Sequence, residues 1–307
     1  MLIGLVTANP ATGHERPQQR PAAKGAIDPA QSFQFLVLSG AGGHFHTLLL
    51  SPDLRTLFAG THLGLFRSED RGLTWRLAAS RFSGEDVHAL AWDPRGGVLY
   101  AATHGQGLLL GRNRGARWHQ ADGLPGGDLH ALALAHREPH VLYVWVVGHG
   151  LFRSDDGATR WRRVAGPEVL TGVESLAVHP EQSERLYAGT AKGVWVSEDS
   201  GRRWRLPAGG LPHRAAGVSV PPWQPDLLLA ATLEGAFGGK VDGTGWKPLP
   251  SHPSWWGLLT GFAFLSQRPQ TVFAVTHEGV VAAWRLTGGS WVPAAELPVG
   301  EGGLSRR

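Results

Sequence analysis

Apolar residues in this chain fall in short runs, some alternating with polar residues and some continuous, and each run ends at a turn. "HALAWDP" (88–94) alternates, as a half-buried strand does, while "VLYAATHG" (98–105) and "GLFRS" (64–68) read as more fully buried strands. No stretch of useful length carries the period of an amphipathic helix. A longer period is marked by tryptophan, at Trp75, Trp118, Trp161, Trp204, Trp246 and Trp291, with spacings of 43, 43, 43, 42 and 45 residues. Each interval holds the same parts in the same order: an alternating strand, a buried strand, a third strand, a turn and a Trp-headed strand. Four short strands per unit of this length describe a β-propeller blade. The expected fold is therefore all-β, a propeller of four-stranded antiparallel blades with repeats at 46–78, 87–121, 129–165, 174–208, 215–250 and 258–295. Six units predict six blades; a seventh would have to be assembled from 1–40 and 296–307, which offer few strand-like segments. Phe33, in "QSFQFLVLS", sits 42 residues before Trp75, so its strand is expected to close or cover the ring. Residues 1–32 lack periodicity and read as a flexible leader to a single domain, 33–307.

One turn recurs after the third strand. "SEDRGLTW" (68–75), "SDDGATRW" (154–161) and "SEDSGRRW" (197–204) share Ser68, Ser154 and Ser197, then Asp70, Asp156 and Asp199, and close on Trp75, Trp161 and Trp204. An Asp side chain accepts bonds from backbone N–H groups about two residues on, and Gly72 and Gly201 supply the positive φ of a tight turn; in the middle copy the glycine comes one place early, at Gly157. The tryptophan then buries its ring between blades. Asn113 replaces Asp in "GRNRGARW", and "VDGTGW" (241–246) and "LTGGSW" (286–291) are shortened. Such degeneracy fits a structural device better than a set of catalytic carboxylates.

These turns, closing four-stranded units, resemble the Asp-box, or BNR, repeats of sialidases; similar repeats occur in sortilin-type ectodomains, xyloglucanases and photosystem-assembly propellers. The whole unit, with "GHFHTLLLSPD" (43–53), "LFAGTHLGLFRSEDRGLTW" (57–75) and "VLYAATHGQG" (98–107), is similar to bacterial BNR-repeat proteins described as glycosyl-hydrolase-like. The resemblance implies a propeller, leaves binding and hydrolysis both open, and points to export or the cell envelope, although the start lacks the basic region of a signal peptide. It also implies, for a sialidase, a tyrosine nucleophile and an arginine cluster. Here Tyr100, Tyr143 and Tyr187 share one register of the second strand with Phe58 and Phe273, which reads as core, and the arginine-bearing F-R-I-P signature is missing. Sialidase chemistry is not expected.

Composition narrows the chemistry further. With no cysteine, disulfides, thiolate metal sites and cysteine nucleophiles are excluded. The formal charge of +4 is scattered rather than striped, so nucleic acid is not an expected partner, and no apolar run is long enough for a membrane helix. A protein or carbohydrate ligand remains, with the chain read as a monomer.

In an antiparallel blade, the start of the first strand and the end of the second lie at one face, near the axis where propellers bind ligands. The first-strand start carries His46, His88, His130 and Glu174, then Ala216 and Thr260 in the last two units. The second-strand end, T-H-x-G or near it, carries His62, His104, His149 and His277, and His44 lies two residues before His46. Imidazoles converging from adjacent blades, completed by Glu174, suit a divalent transition metal such as Zn, Cu, Ni or Fe. They equally suit a sugar or anion pocket, or a repeated hydrogen bond to the next blade's backbone. A glycoside hydrolase would instead use two carboxylates across a cleft, with Asp128, Glu174, Glu234 and Glu278 as catalytic candidates beside Glu85 and Asp86. Trp255 and Trp256 on the same face are candidate stacking or docking residues. Together these features predict a binding or scaffold protein working through its histidine-lined face, with a glycoside hydrolase as the alternative.

Overall fold

Each repeat folds into its own antiparallel sheet. The computed structural model describes residues 36–37, 44–51, 56–70, 74–166, 168–249, 258–265, 271–287 and 290–293. β1 (Leu36–Val37) comes first in the chain but joins the last blade. Blade one holds β2 (Phe45–Leu50), β3 (Leu57–Thr61), β4 (Gly64–Ser68) and β5 (Arg76–Leu77). Blade two holds β6 (Val87–Asp93), β7 (Val98–Thr103), β8 (Leu108–Arg112) and β9 (Arg117–Gln120). Blade three holds β10 (Leu129–Leu134), β11 (Leu142–Val146), β12 (Gly150–Ser154) and β13 (Arg162–Ala165). Blade four holds β14 (Val173–Val178), β15 (Leu186–Thr190) and β16 (Gly193–Ser197), with a lone bridge from Val196 to Arg205 in the fourth place. Blade five holds β17 (Gly217–Ser219), β18 (Leu227–Thr232), β19 (Gly235–Lys240) and β20 (Lys247–Pro248). Blade six holds β21 (Leu259–Leu265), β22 (Thr271–Thr276), β23 (Val280–Thr287) and β24 (Ser290–Pro293).

The first strands β2, β6, β10, β14, β17 and β21 follow one another around the axis, and β21 returns to β2. The ring thus closes on six blades. β1 lies antiparallel to β23, pairing Leu36 with Val281 and Val37 with Val280, while β24 pairs the remainder of the same strand. A segment just after Phe33 therefore completes the last blade. Phe33 itself, the leader 1–32, Gly72, Trp255 and Trp256 lie outside the described residues.

The core is six apolar clusters, one in each seam between blades. Trp118 packs with Phe58, Phe82 and Leu99 between blades one and two; Trp161 serves the next seam, followed by Trp204 and Trp246. Trp75 packs with Phe45, Phe273 and Val275 where blade six meets blade one. Tyr100, Tyr143 and Tyr187 are buried as core residues, and burial pushes the phenols up, Tyr100 to about 12. Toward the axis the wedges converge until backbone meets backbone: a Cβ added to Gly60 would lie 2.5 Å from the Val87 carbonyl oxygen of the next blade.

The recurring turn works over a longer reach than its spacing suggests. Asp70, Asp156 and Asp199 accept from the N–H of Thr74, Arg160 and Arg203, four residues on, at 2.9, 2.8 and 2.8 Å, and each takes the hydroxyl of the preceding serine. The left-handed residues form pairs, Gly157 with Ala158 and Ser200 with Gly201, so the early glycine of the third blade is compensated by Ala158 at φ 71°. The Trp204 indole N–H closes the loop on the Gly201 carbonyl at 2.9 Å.

Candidate metal centre

Two backbone devices build the axial face. In five blades the ladder between first and second strands skips one residue, the signature of a bulge. The skipped residues are His46, His88, His130, Glu174 and Thr260. A bulge leaves its extra residue unpaired and re-aims the side chain. All five line one axial cavity of about 460 Å³, together with Ala216 of blade five.

The second device is a threonine at the end of the middle strand. Thr61, Thr190 and Thr232 donate to the carbonyls of Gly64, Gly193 and Gly235 and accept from the N–H of Leu63, Lys192 and Glu234. The residue after the threonine is then held at the axial face, where His62 N–H bonds the His44 carbonyl at 3.1 Å and His104 N–H the Asp86 carbonyl at 3.0 Å. His277 N–H bonds the Leu258 carbonyl in the same way. Blade three departs from this pattern. Val146 replaces the threonine, the connection to Gly150 gains a residue, and Val147 N–H makes the equivalent bond, to Asp128. His149 consequently sits two residues past the register of His62, on the exposed hairpin.

Side chains meet across the seams as well as within blades, where His46 Nε2 lies 3.2 Å from His62 Nδ1. Asp86 of blade two reaches back to blade one, with Oδ1 3.0 Å from His46 Nε2 and Oδ2 2.6 Å from His62 Nδ1. Asp128 of blade three reaches back to blade two, 3.4 Å from both His88 Nε2 and His104 Nδ1. His44 stacks on His277 of blade six with ring centroids 4.0 Å apart, and His88 packs between His46 and His130 at 4.9 and 4.4 Å. Among the described residues three donor sets result, each with its ligand atoms within 4.8 Å of one another: His44, His62 and His277; His46, Asp86 and His88; His88, His104 and Asp128.

The electrostatics hold Asp86 ionised and disfavour a charge on His88 and His277. Burial would raise the Asp86 carboxyl, but hydrogen bonds from His46 and His62 and the nearby His88 ring hold it well below the usual carboxylate range. His88, with only 9% of its side chain exposed, is pushed down to about 4 by burial and by the His130 ring. Its Nε2 makes no hydrogen bond among the described residues, and the same is true of Asp128 Oδ1. Burial, then the neighbouring His44, lowers His277. The His62 tautomer that donates Nδ1–H to Asp86 is the one that would present Nε2 to a metal.

The remaining candidates are placed as follows. Glu174 is not in a donor set, and Arg214 Nε holds both its oxygens at 2.7 and 2.9 Å. His130 lines the cavity, and neither it nor His149 enters a donor set. Glu85 accepts from the N–H of Gly105 and Gln106, Glu234 lies 3.4 Å from His213, and Glu278 is exposed beside His277. Arg214 is the residue that repeat alignment overlooks. Its signal is positional: it stands two places before Ala216, as Asp86 and Asp128 stand two places before His88 and His130.

No protein-family model matches this chain, and no curated protein sequence matches it. Among solved structures it is similar to a GH74 xyloglucanase from Xanthomonas campestris, with a TM-score of 0.61 and 21% identity over 85% of this chain and 46% of that one. A gluconolactonase from Xanthomonas campestris gives 0.60 at 17% identity, covering 80% of this chain and 88% of that one. The RRP9 WD40 repeats give 0.62 at 13% identity, covering 85% and 84%. The chain spans less than half the length of the xyloglucanase. These likenesses show the fold. It is a six-bladed propeller.

Proposed function

We propose that this propeller is a binding protein whose axial face holds a divalent transition metal. The observation that carries the reading is the convergence of the three donor sets at one face. A tetrahedral ion with bonds of about 2.0–2.1 Å to nitrogen draws its ligand atoms to roughly 3.4 Å from one another, so small rotamer adjustments close each set. His44, His62 and His277 form the leading site. Two of these three residues are exposed, which leaves an ion there open to an external ligand, and Asp86 orients His62 from behind. Imidazole with carboxylate suits Zn, Cu, Ni or Fe. The resemblance of the turns to Asp-box repeats supports a scaffold on which sites of this kind are displayed.

Hydrolysis of glycosides is the weaker reading. Asp86 and Asp128 both contact His88 Nε2, at 3.9 and 3.4 Å, so a buried imidazole fills the gap a glycosidic oxygen would need. Asp86 is held ionised and so unfit as a general acid, and Glu174 is committed to Arg214. Elemental analysis of purified, untagged protein tests the proposal beside a His44→Ala/His62→Ala/His277→Ala variant that retains its thermal transition. Near-stoichiometric metal lost in the variant is expected. Wild-type protein that stays empty after incubation with Zn, Cu, Ni and Fe ions overturns the reading.

A further inference from the structure

The seam contacts follow a rule in four of the six blades. There the residue two places before the first-strand ring position reaches back to the preceding blade: Asp86 to His46, Asp128 to His88, Arg214 to Glu174, His44 to His277. In blade six the place is taken by the apolar Leu258. In blade four that residue is Gly172, which has no side chain to extend. His130, the residue it would meet, makes no hydrogen bond or ion pair among the described residues; its ring centroid lies 4.4 Å from that of His88. Arg214 lines the same cavity as His130 and Gly172. Its Nε alone engages Glu174, and its two Nη atoms have no partner among the described residues. Glu174 is the more buried of the two, with 17% of its side chain exposed against 56% for Arg214, so the carboxylate anchors the guanidinium plane and leaves the outer edge presented. The cavity is lined as well by the small residues Ala216, Gly217 and Gly261.

We propose that Arg214 and His130 form a subsite for the oxyanion of a small molecule, a carboxylate or phosphate group gripped by the free edge of the guanidinium. The cavity, about 460 Å³, is of small-ligand size. A guanidinium offers donors on more than one edge, so one arginine holds Glu174 and grips an incoming oxyanion bidentately, a planar fork that a lysine ammonium lacks. Because Glu174 already balances the Arg214 charge, recognition rests on the fork geometry rather than on net charge. The inference rests on reading the axial cavity as the binding face, but not on the metal.

The test is isothermal titration calorimetry on full-length protein stripped over a chelating resin, with inorganic phosphate and succinate as probes. At least one probe binds at millimolar concentration or below, and which one distinguishes a phosphate from a carboxylate ligand. Arg214→Lys weakens it at least tenfold, the loss of one bidentate charge-assisted contact. Arg137→Lys, at an exposed pair with Glu181, leaves binding unchanged and serves as the control. Silence from both probes, or a folded Arg214→Lys protein that binds as the wild type does, overturns the subsite. Metal content is measured separately, so failure of the metal site leaves this result interpretable.

Discussion

Replacing Gly189 with alanine is expected to force apart the seam between blades four and five. A Cβ there would sit 2.5 Å from the Ala215 carbonyl oxygen, 2.5 Å from Ser175 Oγ and 3.2 Å from Val218 Cγ1. The serine hydroxyl can rotate away. The carbonyl cannot, because the N–H of Ala215 is bonded to the Thr190 carbonyl at 3.0 Å, one residue along from the substitution. Overpacking of this kind costs about 1–3 kcal/mol, and weakening the Ala215–Thr190 bond adds about 0.5–1.5 kcal/mol, for a total of about 2–4 kcal/mol. In a domain of this size each kcal/mol moves Tm by about 2–4 °C, so circular-dichroism melting should show a fall of roughly 5–15 °C. Gly126→Ala is the matched control, since a Cβ there meets nothing within 4 Å; its Tm should hold or rise slightly. A Gly189→Ala protein melting within about 1 °C of wild type would refute the idea that backbone contact at the axis sets the seam.

Thr232→Val removes a buried hydroxyl that donates to Gly235 and accepts from Glu234; it should cost about 1–3 kcal/mol, read as a lower urea midpoint at unchanged slope. Asp86→Asn should weaken metal binding about 10–100-fold in a competition titration with a chromophoric chelator, because it removes the carboxylate that orients His46 and His62. Gly172→Asp would extend the seam rule to His130 and should abolish binding of the phosphate and succinate probes while the melting transition is retained. His179 carries a pH prediction. It is lowered by burial and then by Arg185, and its Nδ1 already accepts the N–H of Glu181. The unfolded imidazole takes its proton near pH 6.5 whereas the folded one resists, so this group costs stability as pH falls through about 6.5 and stops doing so below its folded value. Urea midpoints from about pH 8 to about pH 5 should fall less steeply for His179→Gln than for wild type.

The parts legible in the sequence are those that one repeat can state alone. Tryptophan spacing located the blades, and alignment of His46 with His88 and His130 located the ring, because both depend on local strand register. What remained hidden crosses the seams. Asp86 and Asp128 were visible only as acids on the right face, since their partners His46 and His88 belong to the preceding unit. Arg214 was missed because the register position it serves, Ala216, carries no functional side chain. Glu174 was grouped with the histidines by alignment, but a guanidinium one blade away already holds both its oxygens. His149 was misplaced by one extra hairpin residue, an insertion that T-H-x-G matching cannot see when Val146 replaces the threonine. The Asp turns were recognisable by composition, yet their four-residue reach depends on paired left-handed residues, including Ala158 and Ser200, whose letters carry no strong turn signal.

The pairing of β1 with β23 also bears on the order in which the chain assembles. Blades made of consecutive hairpins form from neighbours in sequence, whereas Leu36 must find Val281 from the far end of the chain, about 245 residues away. Such a contact is reached late, after most of the chain is ordered. An open stack of repeats frays from its termini because the end units have one neighbour each. Here the first described strand and the last blade share a sheet, so the ring has no end blade with a single neighbour, and release of β1 from β23 is a step in its opening.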